Sequence, residues 1–181
     1  MVRLVLGVLI WTWSHTMKRV TPGFRASLGD RGKGLAALLA LVALGLMIWG
    51  YRTAEVIPLW EPPAALRHVN NLLMLIAVVL IGMGNSKGRL AGLMRHPMLT
   101  SVVVWSVAHL LVRGDVASLI LWGGLGLWAV FDMAAISRME PAWVRPAPGP
   151  VRNDVIYVAV ALVIFAGIVW LHGWLGYPPL G

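Results

Sequence analysis

Six long apolar runs, separated by short polar or proline-containing connections, dominate the pattern of this 181-residue chain. Most of the runs come close to the ~20 apolar residues that an α-helix needs to cross a bilayer. The pattern therefore predicts an all-α, polytopic transmembrane helical bundle with about six spans. The predicted spans cover residues 2–17, 35–51, 69–84, 98–112, 116–136 and 154–174.

The connections between the spans differ in length and in their signals. Residues 113–115 alone join the fourth and fifth runs, which predicts a tight helical hairpin whose turn can lie below the bilayer surface. The first run resembles the apolar part of a signal peptide. However, Lys18 and Arg19 follow it in place of a small-residue cleavage site, so we interpret it as a retained span. Residues 1–181 are predicted to form a single membrane domain.

Basic residues are distributed unevenly over the five loops. Eleven of the 15 lysines and arginines lie in the first, third and fifth loops, and the other four lie in the second and fourth loops or at Arg3. Cytoplasmic loops carry an excess of Lys and Arg. The count predicts that the odd-numbered loops are cytoplasmic and that both termini are periplasmic.

Composition supports a membrane protein and excludes several function classes. The chain is 59% hydrophobic and 12% charged, against about 25% charged residues in a soluble domain, so a soluble enzyme is not expected. The net charge of +8 is interpreted as flanking charge that sets topology, not as a nucleic-acid surface. The chain has no cysteine, which excludes disulfides, iron–sulfur clusters and thiolate ligands.

Histidines are the candidate functional residues, because ionisable groups within membrane spans are costly and usually functional. His15 follows Trp11 by four residues and His109 follows Trp105 by four, so each pair shares a helix face. Without cysteine, a redox cofactor would be held mainly by imidazole, and two histidines on facing helices can hold haem b. Alternatively, each imidazole hydrogen-bonds across helices and only stabilises the bundle. Three further histidines at span ends are alternative ligands: His68, His96 and His172.

Charged residues near span ends give further expectations. Arg113 and Asp115 bracket the hairpin turn, and they either pair with each other or bind a propionate or another anion. Asp132 lies near the end of the fifth span, and its expected partner is Arg138 or Arg95. Glycines 123, 124 and 126 give the fifth span a small-residue face that permits close helix approach and association with a second copy.

One stretch carries a resemblance to a known family. Residues 95–130 read RHPMLTSVVVWSVAHLLVRGDVASLILWGGLGLWAV. The arginine-histidine-proline start, the W-x-x-A-H-L-L segment and the glycine-aspartate hairpin together resemble the NnrU family of bacterial membrane proteins. The resemblance is strongest over residues 10–138, and the sixth span at 154–174 adds little to it.

The resemblance implies a cofactor and a physiological setting. NnrU proteins resemble 15-cis-zeta-carotene isomerase, a haem b enzyme whose axial histidines fall on His15 and His109. Trp11, Trp105 and Arg113 would then lie around the haem. That isomerase has a cysteine where this chain has Ser106, so a ligand exchange through the thiol is impossible here. The family name implies a role in nitrite and nitric oxide metabolism in the inner membrane, beside nitrogen-oxide reductases or other respiratory proteins.

Depth raises an objection to this ligand pair. His109 lies four residues from the hairpin turn, about 6 Å inside it, whereas His15 lies about 18 Å from the same end of its own helix. Two axial ligands of one haem need similar depth, so the pair requires a sunken turn. Otherwise His15 pairs better with His96, and His109 pairs better with His68 or His172.

Three function classes follow. The first is a haem b protein that supports denitrification by electron transfer, sensing or assembly. The second is a membrane enzyme, either a carotenoid isomerase or a methyltransferase of the isoprenylcysteine type. The arginine-histidine-proline start resembles such methyltransferases, but residues 138–150 lack their closing segment. The third is a structural or assembly subunit without a cofactor.

Overall fold

The computed structural model describes residues 1–179, and these residues form helices and no β-strand. The prediction of an all-α fold is therefore confirmed. The helices are α1 (Val2–Val20), α2 (Pro22–Ser27), α3 (Arg31–Arg52), α4 (Leu66–Ile81), α5 (Pro97–Leu110), α6 (Val116–Ser118), α7 (Gly124–Met139) and α8 (Val151–Trp174). A π-helical segment, Leu119–Gly123, joins α6 to α7 within one continuous helix, Val116–Met139.

The number of spans is not confirmed at six. Among residues 1–179, four helices are long and apolar enough to cross a membrane: Arg31–Arg52, Leu66–Asn85, Val116–Met139 and Val151–Trp174. The helix α5 is apolar, but its 14 residues reach only about 21 Å. The helix α1 has 19 residues and carries three basic side chains among them. Each predicted run does form a helix, with ends shifted by a few residues.

The helices α1 and α3 pack closely against each other, and glycines make this approach possible. A Cβ atom on Gly50 would lie 2.5 Å from the backbone nitrogen of Leu4, and one on Gly7 would lie 2.9 Å from that of Met47. Small residues allow two helix backbones to approach and gain van der Waals contact. Leu4 is fully buried at this crossing.

The helices α5 and α7 complete the core. The Ser101 hydroxyl donates to the carbonyl of Ala77 at 2.8 Å, which ties α5 to α4. A Cβ on Gly124 would meet Val8, and one on Gly126 would meet Ser106. Two of the three glycines predicted to form an association face are thus occupied by α1 and α5 of the same chain.

The loops lie at the two ends of the bundle, the even-numbered loops at one end and the odd-numbered loops at the other. The second loop covers the turn of the fourth, because Leu59 N–H donates to the Gly114 carbonyl at 2.7 Å and Val116 N–H donates to that of Ile57 at 3.0 Å. At the other end, Gly149 N–H in the fifth loop donates to the carbonyl of Gly88 in the third. We call these the even-loop end and the odd-loop end. Their separation agrees with the alternation predicted from the basic residues.

The last helix, α8, lies at the edge of the bundle. Only 6% of its most apolar window is buried, and Ala161 is its one buried residue. One contact between α8 and the rest of the bundle is a hydrogen bond from the Tyr157 hydroxyl to the Val79 carbonyl on α4. A helix that is apolar all round and so little buried suits a lipid environment.

Candidate functional site

His15 lies on α1 among aromatic side chains. Its Nδ1 is 2.8 Å from the Trp11 carbonyl oxygen and 3.0 Å from the Ser14 hydroxyl. Its ring stacks on Trp11 with 4.1 Å between centroids, and it meets the edge of Trp128 on α7 at 5.1 Å. Trp11 and His15 therefore share a helix face, and together they contact the neighbouring helix.

His109 has a similar arrangement on α5. Its Nδ1 is 2.9 Å from the carbonyl oxygen of Trp105, one helical turn earlier. Its ring stacks on Trp122 of the π-helical segment, with 4.7 Å between centroids and 24° between planes. Trp105 also lies beside the imidazole at 4.9 Å. His109 is thus held between two indole rings.

The two histidines lie at different depths. His15 contacts Trp128 and His109 contacts Trp122, and these tryptophans are six residues apart on one continuous helix. Six residues correspond to about 9 Å along a helix axis. The hairpin turn is covered by the second loop, but this does not bring His109 to the depth of His15.

A first group of polar side chains lies at the odd-loop end, and we call it the odd-loop cluster: His15, Arg19, His96, Asp132 and Ser137. Arg19 on α1 and Asp132 on α7 form a salt bridge of 3.0 Å with little exposure. His15 and His96 lie near this carboxylate. The Nε2 atom of His96 lies 3.1 Å from the Ser137 hydroxyl oxygen.

The partner predicted for Asp132 was wrong. Its carboxylate pairs with Arg19 and not with Arg138 or Arg95, because α1 packs beside α7 and brings the first loop to this end. Arg95 instead donates to the backbone carbonyl of Glu140.

His96 immediately precedes α5 and is only partly exposed. Burial, and then the positive charge of Arg95, lower the pKa of His96 from its usual value, while Asp132 acts in the opposite direction. A neutral imidazole is therefore favoured at this position near neutral pH.

A second group lies at the even-loop end, and we call it the even-loop cluster: Tyr51, His109, Asp115, Ser118 and Trp122. The Tyr51 hydroxyl is 3.0 Å from that of Ser118, which donates to the Asp115 carboxylate at 2.6 Å. Asp115 also accepts from the Ser118 backbone N–H at 2.8 Å and so caps the start of the helix. The expected pairing of Asp115 with Arg113 is absent from residues 1–179, where Arg113 is exposed.

The remaining histidines lie apart from His15. His172, near the end of α8, has its Nδ1 2.8 Å from the carbonyl oxygen of Ile168 and lies at the even-loop end, where the chain after α8 contacts the start of α4. His68 is exposed in the first turn of α4. Within the described 179 residues, no three His, Asp or Glu side chains converge as a metal site would require.

The family described as NnrU protein matches residues 3–179, nearly the whole chain. The chain belongs to the NnrU family. The apolar helices and the family together show a membrane protein of this family. No curated protein and no solved structure matches the chain.

Two tryptophans that contact the histidines were not predicted as site residues of this NnrU chain. Trp122 and Trp128 are each 7% exposed. Their indole N–H groups, with that of Trp11 and the Ser106 hydroxyl, have no hydrogen-bond partner among residues 1–179. Tryptophan in membrane proteins concentrates at the two interfaces. The position of both residues inside the fifth run was the signal that could have identified them.

Proposed function

We propose that this chain is a haem b-binding protein of the bacterial inner membrane that supports nitrite and nitric oxide metabolism by electron transfer, sensing or assembly. The physiological setting rests on the family resemblance. The cofactor rests on the orientation of the histidines.

The observation that carries the proposal is shared by three imidazoles. His15, His109 and His172 each place Nδ1 2.8–2.9 Å from the carbonyl oxygen of the residue four positions earlier. A carbonyl only accepts, so in the neutral ring Nδ1 carries the hydrogen and Nε2 keeps its lone pair. Metal-ligating histidines have this arrangement, in which the second nitrogen donates to a carbonyl and fixes the ring.

Depth favours His109 and His172 as the ligands of one haem. Both lie at the even-loop end, whereas His15 lies about 9 Å from His109 along the bundle axis. Arg113 is exposed at the same end and would pair with a propionate. In this arrangement His15 remains with His96 in the odd-loop cluster. Haem b, when bound, supplies one-electron chemistry, and the surrounding tryptophans exclude water from it.

Visible spectra of four variants test the cofactor and its ligands. The wild-type chain and His15→Ala, His109→Ala, His172→Ala and His68→Ala are purified from haem-replete cells in mild detergent. We expect a low-spin haem b spectrum in the wild type, in His15→Ala and in the exposed control His68→Ala. We expect it to be lost or to become high-spin in His109→Ala and His172→Ala.

Other outcomes have definite meanings. Loss in His15→Ala and His109→Ala, but not in His172→Ala, would restore the ligand pair expected from the resemblance. A wild-type protein that stays colourless despite adequate haem would overturn the cofactor proposal.

A structural or assembly subunit is the second candidate, and a specific contact favours it. The His15 ring bridges α1 to Trp128 of α7, and the His109 ring bridges α5 to Trp122. Imidazoles that pack between helices stabilise a bundle without any cofactor. In that case the wild type is colourless, and both alanine variants lower its thermal stability.

The orientation in the membrane is part of the proposal. We infer that the odd-loop end faces the cytoplasm, because eleven of the 15 basic residues lie in its loops. The chain has no cysteine, so a single introduced cysteine can be labelled with a maleimide without background from other residues. Ser27→Cys should be shielded from an impermeant maleimide in intact spheroplasts, whereas Glu55→Cys should be labelled. The reverse pattern would contradict this orientation.

A further inference from the structure

An open depression of about 340 Å³ lies between the third loop and the first turns of α8. It belongs to neither histidine cluster. Polar side chains line it at the odd-loop end, and apolar ones continue along α8. The lining residues are Asn85, Ser86, Lys87, Asn153, Ile156, Tyr157 and Val160.

Lys87 is held in an unusual backbone conformation at the rim. Its φ of +53° makes it the single non-glycine residue with positive φ among residues 1–179. L-residues rarely adopt this region, and surroundings that force it often mark a functional site. Replacement by glycine would remove the strain, yet the chain has a lysine here. The choice of a charged side chain at this position suggests a use for its ammonium group.

A clamp between the third loop and the start of α8 fixes the loop around Lys87. The Asn153 side chain donates to the Lys87 carbonyl at 2.9 Å. The Asp154 carboxylate accepts from the N–H groups of Arg89 at 2.8 Å and Leu90 at 3.1 Å. A Cβ on Gly88 would lie 1.9 Å from Asp154, so the loop backbone is pressed against α8. The rim of the depression is therefore preorganised.

The charge at the rim is positive and unpaired. Among the described residues the one salt bridge joins Arg19 to Asp132, so Lys87 has no carboxylate within bonding distance. Asp154 is the nearest acid in the clamp, and both of its oxygens accept backbone N–H groups. The rim therefore complements an anion.

The floor of the depression is apolar and open to the side. Ile156 and Val160 are four residues apart on one face of α8 and are 50% and 51% exposed. They continue from the rim along a helix of which only 6% is buried. A ligand that suits both parts has an anionic head and a hydrocarbon chain.

We propose that this depression binds one anionic phospholipid of the leaflet at the odd-loop end. Its phosphate contacts the Lys87 ammonium, the Ser86 hydroxyl and the Asn85 carboxamide, and one acyl chain lies along Ile156 and Val160. Basic residues near the membrane surface attract anionic headgroups, and the fixed loop makes this contact specific. The proposal does not depend on haem binding.

Lys87→Gly is the decisive variant, because it removes the ammonium group and suits the positive φ, so the fold is not harmed. Lys33→Ala removes one positive charge at the same end outside the depression and is the matched control. Lys87→Arg keeps the charge. Purified proteins are titrated with phosphatidylglycerol in detergent and followed by native mass spectrometry and by thermal unfolding.

We expect one phosphatidylglycerol to be retained by the wild type, Lys33→Ala and Lys87→Arg, and to raise their unfolding temperature. We expect Lys87→Gly to bind it about tenfold more weakly, as the loss of one charge-assisted contact predicts. Equal binding by Lys87→Gly and the wild type would overturn the site, as would an equal loss in Lys33→Ala. Glycerol phosphate is titrated in parallel. If glycerol phosphate stabilises the wild type as much as the lipid does, contact of an acyl chain with Ile156 and Val160 plays no role, and the assignment to a phospholipid fails.

Discussion

The two ends of this bundle are joined by different chemistry. At the odd-loop end, a salt bridge with little exposure connects α1 to α7, with His96 and Ser137 beside it. At the even-loop end, hydroxyls and a helix cap connect α3 to α6, and the backbones of two loops pair above them. A charged pair that loses one member leaves a buried charge, whereas a hydroxyl network loses one modest bond. The odd-loop cluster should therefore be the less tolerant of substitution.

Asp132→Ala tests this contrast with the largest expected effect. It leaves the Arg19 guanidinium without its partner, on a side chain that is 18% exposed. Removal of one member of a buried ion pair destabilises by about 3–5 kcal/mol. The free energy of unfolding in mixed micelles, followed by tryptophan fluorescence, measures the loss. Arg19→Met combined with Asp132→Leu should restore most of it. A loss within ~0.5 kcal/mol, typical of surface sites, would show that the pair is solvated.

Gly50→Ala tests whether the close packing of α1 against α3 contributes as much to the free energy of unfolding as either cluster does. The added methyl would lie 2.5 Å from the backbone of Leu4 and force α1 away from α3. Overpacking of this kind costs about 1–3 kcal/mol. Gly45→Ala on the same helix is the control, because its methyl meets no atom within 4 Å. Equal unfolding free energies of the two variants would contradict the close packing.

Ser118→Ala addresses the even-loop cluster directly. It removes the hydroxyl that links Tyr51 to Asp115, while the Asp115 cap on the Ser118 N–H remains. We expect a loss of about 1–2 kcal/mol, less than for Asp132→Ala. Ser27→Ala, at an exposed hydroxyl, should have little effect. A Ser118→Ala loss larger than that of Asp132→Ala would reverse the ranking of the two ends.

The smallest expected effect is a pH dependence at the odd-loop end. The pKa of His96 is lower in the fold than its ordinary value of 6.5. Between these two values the unfolded chain binds more protons, so stability should fall as pH drops below about 6.5 and level off below the folded pKa. Unfolding temperatures between pH 8 and 5 measure this slope, and His96→Gln should flatten it. A slope that is unchanged in His96→Gln would assign it to other groups.

The sequence predicted the helices well, and it predicted which loops meet at each end. Apolar runs are periodic signals that survive without tertiary information, and basic residues report topology independently. The count of six spans is not confirmed, because α5 is short and α1 carries three basic side chains.

The candidate site was harder to predict than the fold. The spacing of four placed each histidine beside its tryptophan, but the partners across helices were missed. Trp122 lies in the π-helical segment, and Trp128 follows it in α7. Asp132 pairs with Arg19, which is 113 positions away in sequence. Such contacts depend on which helices are neighbours and on their rotation, and a list of spans contains neither. Whether His15, His109 or His172 binds haem remains a prediction.

The π-helical segment has a consequence for how this chain can vary. A π turn contains one residue more than the regular helix around it. Deletion of a single residue from Leu119–Gly123 would therefore convert the segment to regular α-helix and leave Asp132 facing α1. Deletion of one residue from the regular helix between Gly124 and Asp132 would instead turn Asp132 by about 100° relative to α6. One-residue deletions should therefore be tolerated within the π-helical segment far better than in the part of α7 that precedes Asp132.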